Sequence, residues 1–161
     1  MISQIAPPGI QMPLFTGRFD YSVDDKGRLS IPARLRDQIE SAGSEASLIV
    51  TCLSPEYLSA YPPSQFQILI DKVGAAEDPR SREALRQLTS GAETCPVDKQ
   101  GRIQIPENLR RRVGITRDVA ILGVSLRIEI WDRAHYDAHL SAEQAGGTDL
   151  LSGLKAGAGL I

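Results

Sequence analysis

The chain has 161 residues, of which 42% are apolar and 24% charged, the balance of a globular protein rather than a disordered or fibrous one. No run approaches the roughly 18 apolar residues that a spanning helix needs, and the opening MISQIAPPGIQMP lacks the basic and continuous apolar regions of a secretory signal, so a cytoplasmic chain without membrane contact is expected. The formal net charge of −2 weighs against indiscriminate binding to nucleic acid, yet ten of the 18 Lys and Arg fall between Arg18 and Arg36 or between Lys99 and Arg112, and phosphate contact depends on local charge.

Residues 1–14 read as a flexible extension. Phe19, Tyr21 and Val23 then alternate with polar residues, as in a half-buried strand, and Leu29 and Ile31 do the same a few residues later. Between them Asp24-Asp25-Lys26-Gly27 predicts a tight turn, with Asp24 accepting turn amides and Gly27 supplying a positive φ. The expectation is a β-hairpin with a G1 bulge. Pro32 presets φ for a first helical turn, and Leu35 and Ile39 lie four apart on one helix face. The β-rich ASLIVT from Ala46 follows, then YPPSQF from Tyr61, which predicts a helix. A connector over residues 67–90 contains Asp78-Pro79, a good N-cap and N1 pair for a helix carrying Leu85 and Leu88.

The pattern then starts again. At an offset of 74, VDDKGRLSIPARLRDQI from Val23 matches VDKQGRIQIPENLRRRV from Val97 at eight of 17 positions without a gap, where about one identity is expected by chance at average residue usage. The second turn is Asp98-Lys99-Gln100-Gly101, and Pro106, Leu109 and Val113 repeat Pro32, Leu35 and Ile39. DVAILGV from Asp118 and WDRAHY from Trp131 echo ASLIVT and YPPSQF. Two modules are expected, over residues 15–66 and 91–140, with a flexible tail over 141–161. Cys52 and Cys95 have no C-x-x-C spacing, which argues for small strand residues rather than a disulfide framework or a zinc knuckle.

At VDDKGRLSIPARLR and VDKQGRIQIPENLR the chain resembles the MraZ family, whose members carry two AbrB-like modules, each marked by Asp-x-x-x-Arg. FTGRFDYSV, LTSGAETCPVDKQGR and ILGVSLRIEIWDRAHYDAHL extend the likeness over roughly Phe15 to Leu140. The resemblance implies a mixed α+β fold, mainly β: a double-ψ or swapped-hairpin AbrB-like β-barrel built from tandem repeats with short peripheral helices. It also implies several chains closed into a ring, and repression through direct repeats upstream of the division and cell-wall gene cluster, at the nucleoid.

A two-stranded ribbon fits the major groove, and an Arg just past its turn can donate two hydrogen bonds to guanine O6 and N7. Arg28 and Arg102 are the candidates for that contact with double-stranded DNA. Taken singly, each could merely pair with Asp24 or Asp98 across its turn, an exposed pair worth at most about 1 kcal/mol; duplication of the whole turn favours the reader. Asp24, Asp98, Gly27 and Gly101 are turn supports. Lys26, Lys99, Arg34, Arg36 and Arg110, with Arg111 and Arg112, are candidate phosphate contacts or a solvated helix face.

No catalytic motif appears: the chain has no G-x-S-x-G, phosphate loop or Cys with a partnered His. No cofactor, metal or small-molecule substrate is expected. His135 and His139 lie four apart on a predicted helix but lack a third converging ligand. Trp131 and Tyr61 are core candidates. The rival reading is an antitoxin-like module that binds both protein and DNA, although such a chain would carry one module and a long partner-wrapping tail; a purely structural ring is the third.

Overall fold

Strand β1 (Arg18–Ser22) leads into the Asp24 turn and out of it into β2 (Arg28–Ser30), but the two do not form the expected hairpin. β1 pairs antiparallel with β7 (Asp118–Val124), and β2 pairs antiparallel with β6 (Arg102–Gln104), 74 residues further on. Two backbone hydrogen bonds, from Asp24 N to Arg28 O and from Gly27 N to Asp24 O, both at 2.9 Å, close the turn before the strands part. The cause is the duplication itself. The second half offers every strand of the first a partner with the same apolar pattern, and interleaving puts both halves into one core, where a unit of some 50 residues alone would bury too little surface.

The structure, a computed structural model, describes residues 12–41 and 46–146. The remaining elements are α1 (Ala33–Ser41), β3 (Ser47–Thr51), β4 (Tyr57–Tyr61), α2 (Pro63–Gly74), α3 (Pro79–Ser90), β5 (Glu93–Pro96), α4 (Glu107–Arg112), β8 (Arg127–Asp132) and α5 (Arg133–Ala145). The fold is mixed α and β, mainly sheet. Six strands run in the order β1-β7-β8-β4-β3-β5, with β2 and β6 as a separate two-stranded ribbon. Exchanging β1 with β5, β3 with β7 and β4 with β8 leaves that order unchanged, so a pseudo-twofold axis relates the halves. It passes through the pairs Ser59↔Glu129 and Leu29↔Ile103. Among the described residues these strands form an open sheet plus a ribbon, not a closed barrel.

The core lies between sheet and ribbon and draws equally on both halves: Leu29, Ile31, Leu35 and Ile39 meet Ile103, Ile105, Leu109 and Val113. Each such side chain contributes roughly 1.5–3 kcal/mol by leaving water. The pleat sends Leu58, Ala60, Ile128 and Ile130 into this core, while Tyr61 and Trp131 face the other way. Tyr61 packs under α2 against Phe66, and Trp131 stacks on Tyr57 at 4.9 Å between ring centroids and meets Tyr136 of α5. Both were expected in cores, and both are buried.

Helix starts follow local chemistry. Asp78 caps α3, its Oδ1 accepting from Ser81 N at 2.9 Å with Pro79 at the first helical position. Asp132 caps α5 by accepting from His135 N. Pro106 is itself the N-cap of α4, one position earlier than expected, because its extended ψ of 139° ends β6 while its carbonyl accepts the first helical bonds from Leu109 and Arg110.

Several segment limits differ from the expected ones. α2 runs through residues 66 and 67, where a module was expected to give way to the connector, because Tyr61 and Phe66 pack together. α5 continues to Ala145, past the expected start of the tail. Residues 12–14 lead into Phe15, fully buried, which bridges to Ser125; this crossing brings Thr16 against Gly123, where an added Cβ would lie 2.2 Å from the Thr16 nitrogen. The rest of the expected extensions, residues 1–11 and 147–161, lies outside the described residues. Cys95 sits buried in β5, whereas Cys52 follows β3 rather than lying within it. Among the described residues no helix is long and apolar enough to cross a membrane.

Candidate nucleic-acid interface

Each repeated turn is closed by its first residue. Asp24 Oδ1 accepts from Lys26 N and Arg28 N, both at 2.9 Å, and its Oδ2 accepts from Arg28 Nε at 2.7 Å. Asp98 repeats the arrangement with Gln100 N and Arg102 N at 2.9 Å and Arg102 Nε at 3.0 Å. Hydrogen bonds to an ionised carboxylate favour the charged form. Those from the Arg28 and Arg102 amides are the main reason that Asp24 and Asp98 are held below the ordinary carboxylate value. Gly27 and Gly101 close the turns at φ of 80° and 79°, a conformation that a side chain resists.

The ribbon sets the direction of the arginines. Arg28 stands opposite Gln104, Leu29 opposite Ile103, and Ser30 opposite Arg102. Leu29 and Ile103 are buried, so by the period of two Arg28, Ser30, Arg102 and Gln104 share the opposite face. Arg28 and Arg102 are diagonal neighbours on that face, with Cα atoms about 7–8 Å apart by ladder geometry. Their side chains retain 32% and 26% exposure, and the Nε of each donates to its Asp.

The two arginines differ in one respect. Arg102 Nη2 also donates to Gln100 Oε1, whereas the matching position in the first turn is Lys26, which cannot accept. Sequence reasoning missed Gln100, Gln104 and Ser30. The signal for the last two was the same alternation that singled out Leu29, carried across the other repeat.

The remaining basic candidates scatter. Lys26 and Lys99 are exposed on their turns. Arg34 is turned towards the amino-terminal strand, donating to Thr16 Oγ1 at 2.6 Å and lying over the Phe19 ring. Arg36 and Arg110 are partly buried over the opposite half's glycine, Arg36 on Gly101 and Arg110 on Gly27. Arg111 pairs with Glu107 at 2.6 Å, and Arg112 approaches Gly91. Residues 24–37 and 98–112 together hold nine Lys or Arg against five Asp or Glu. That local surplus of four in a chain of net −2 leaves the rest of the chain acidic.

His135 and His139 pack on the Trp131 ring, and among the described residues no group of three or more His, Cys, Asp or Glu converges as a metal site. Arg127 and Trp131 both donate to the buried Glu129, which ties β8 together beneath the helices.

Comparison with known proteins agrees with this duplicated architecture. The family model for the MraZ protein, whose description also names an antitoxin-like character, matches residues 14–87 and again 88–149. A transcriptional regulator MraZ of Treponema pallidum (strain Nichols) is 36% identical over 146 residues, covering 87% of this chain and 95% of that protein. Its namesake in Syntrophobacter fumaroxidans (strain DSM 10017 / MPOB) is 36% identical over 134 residues, covering 82% and 88%. That of Pediococcus pentosaceus (strain ATCC 25745 / CCUG 21536 / LMG 10740 / 183-1w) is 32% identical over 143 residues, covering 88% and 96%. With both repeats matched and relatives aligned over nearly their whole length, the chain belongs to the MraZ family.

Proposed function

We propose that this chain is a sequence-specific DNA-binding transcription regulator, not an enzyme, and that the outer face of the β2–β6 ribbon is its reading surface. The observation that carries this is the shared face of Arg28 and Arg102. Two guanidinium groups flanking a pseudo-twofold axis can each donate to a guanine edge in one major groove. Lys26 and Lys99 contact phosphates on either side, and Asp24 and Asp98 hold the arginines in place. The names of the relatives, transcriptional regulators all, support the reading.

The finer expectations belong to the same proposal. Modules over 15–66 and 91–140 interleave as a swapped-hairpin unit, a reading supported by the exchange of strands between halves. Several chains assemble as a ring, act from the cytoplasm at the nucleoid, and repress through direct repeats upstream of the division and cell-wall gene cluster. The test is titration of fluorescent duplexes, repeat-bearing against scrambled, at two salt concentrations. Tighter binding to the repeats at both salts is expected, and equal affinity for the two duplexes overturns the reading.

An antitoxin-like role, which the family description favours, is the second reading. It sits poorly with two halves that share one core, because partner wrapping relies on a chain that folds only on binding.

A further inference from the structure

Two of the helix arginines that charge clustering suggested as phosphate contacts, Arg36 and Arg110, are held elsewhere. Arg36 leaves α1 and reaches Gly101 of the second turn; a Cβ built on Gly101 would lie 2.5 Å from Arg36 Nη1 and 2.7 Å from its Cζ. Arg110 leaves α4 and reaches Gly27 of the first turn, where the corresponding Cβ would lie 2.9 Å from Arg110 Nη2 and 3.2 Å from Cζ. Arg110 Nε donates to Ile105 O at 3.1 Å, and Ile105 N donates to Gly27 O at 2.9 Å. Helix, strand end and opposite turn thus form one chain of contacts. In the other half Ile31 N donates to Gly101 O at 2.8 Å, while Arg36 Nε is buried without a hydrogen-bond partner among the described residues.

We infer that Arg36 and Arg110 are positioning residues, each holding the turn of the opposite half so that Arg102 and Arg28 respectively are presented at a fixed height on the ribbon. This rests on the proposed reading surface but assigns these two residues a different task from phosphate binding. The planar guanidinium suits it: the flat group lies on a turn that has no side chain at its glycine, where the tetrahedral ammonium of Lys would not cover the same surface. The absence of a Cβ at Gly27 and Gly101 therefore serves two ends, the positive φ and the bed for the arginine. Because the grip crosses between halves, displacement of one helix is felt at the far turn rather than the near one.

The test uses the full-length chain as Arg36→Met and Arg110→Met, with Arg36→Lys and Arg110→Lys as milder variants should either fold poorly. Amide spectra and hydrogen exchange come first and need no DNA. Arg36→Met is expected to shift and deprotect Gly101 and Arg102 while leaving Gly27 and Arg28 unmoved, and Arg110→Met to do the reverse. Changes confined to the variant's own half, or equal at both turns, overturn the inference. Binding to a repeat-bearing duplex across a salt series is the second arm. Positioning predicts roughly a tenfold loss, as for one misplaced bidentate contact, with the slope of log K against log salt unchanged. A slope reduced by about one per arginine marks direct phosphate contact and overturns it. If the parent chain does not prefer the repeats, the reading surface fails, while the amide arm still decides the grip between halves.

Discussion

Leu29 of β2 and Ile103 of β6 stand directly opposite each other at the centre of the ribbon, and both are buried. They occupy the same position of the repeat. The pseudo-twofold axis therefore runs between them, and the spacing of Arg28 and Arg102 on the other face is fixed by a pair whose burial the core enforces. Slipping the ribbon by one residue would send Arg28 and Arg102 inward and Leu29 outward.

Truncation of this pair should be costly and coupled. Leu29→Ala is expected to lower stability by about 2–5 kcal/mol. Combined with Ile103→Ala it should deviate from additivity by roughly 0.5–3 kcal/mol, because the two share one contact. Urea unfolding of the two single variants and the double variant measures both. Independent, additive losses would mean that the ribbon does not hold the halves together.

Three glycines should rank by what surrounds them. Gly123→Ala meets the Thr16 backbone, which cannot swing aside, and is expected to be the most destabilising. Gly101→Ala meets the movable end of Arg36 and adds the cost of a φ of 79°. Gly114→Ala has open space and only its φ of 72° to oppose it, about 1–2 kcal/mol. Thermal unfolding midpoints should fall in that order, and a Gly114 variant worse than the Gly123 one contradicts it.

The turns should fail in acid. Asp24 and Asp98 are held below their usual value of 3.8. A carboxyl depressed on folding contributes stability that is complete above its unfolded pKa and lost as pH falls through the lower folded one. Amide shifts of Arg28 and Arg102 followed downward from about pH 6 should therefore have midpoints under 3.8. Midpoints at or above that value would mean that the carboxylates do not close the turns. Asp24→Asn should abolish the transition at Arg28 alone.

Burial pushes the Cys95 thiol up to about 11. The reactive thiolate is scarce at neutral pH, so an alkylating reagent should leave Cys95 unmodified until the chain unfolds. Mass spectrometry of peptides after labelling at about pH 8, with and without denaturant, reads this directly. Fast labelling of Cys95 in the folded chain contradicts the described packing.

The strands, the turn chemistry and the inward faces of Leu35, Ile39, Leu109 and Val113 were legible in the sequence because they follow from local periodicity and from what Asp and Gly do in a turn. The pairing was not. Alternation in Phe19-Asp20-Tyr21 states that a strand has one buried face but not which strand lies beside it, and in a duplicated chain every local partner has a distant equivalent. The repeat marked out the halves, and their interleaving entered only as the swapped-hairpin expectation that the family resemblance implied. The same gap explains the basic residues. Charge clustering marked Arg34, Arg36 and Arg110, but their destinations lie on Thr16, Gly101 and Gly27, the last two of which only the exchange of strands brings near. Gln104 escaped notice because its place beside Arg28 exists only across the ribbon.

The reading surface is tested most directly by binding Arg28→Ala and Arg102→Ala to repeat-bearing duplexes in which single guanines are replaced one at a time. Each variant should lose about 1–3 kcal/mol on the intact site. Each should also become indifferent to replacement of one guanine, a different one for each variant, while unfolding at the same urea concentration as the parent. Unchanged affinity in both variants, or an equal loss on every sequence, would contradict the ribbon face as the reader.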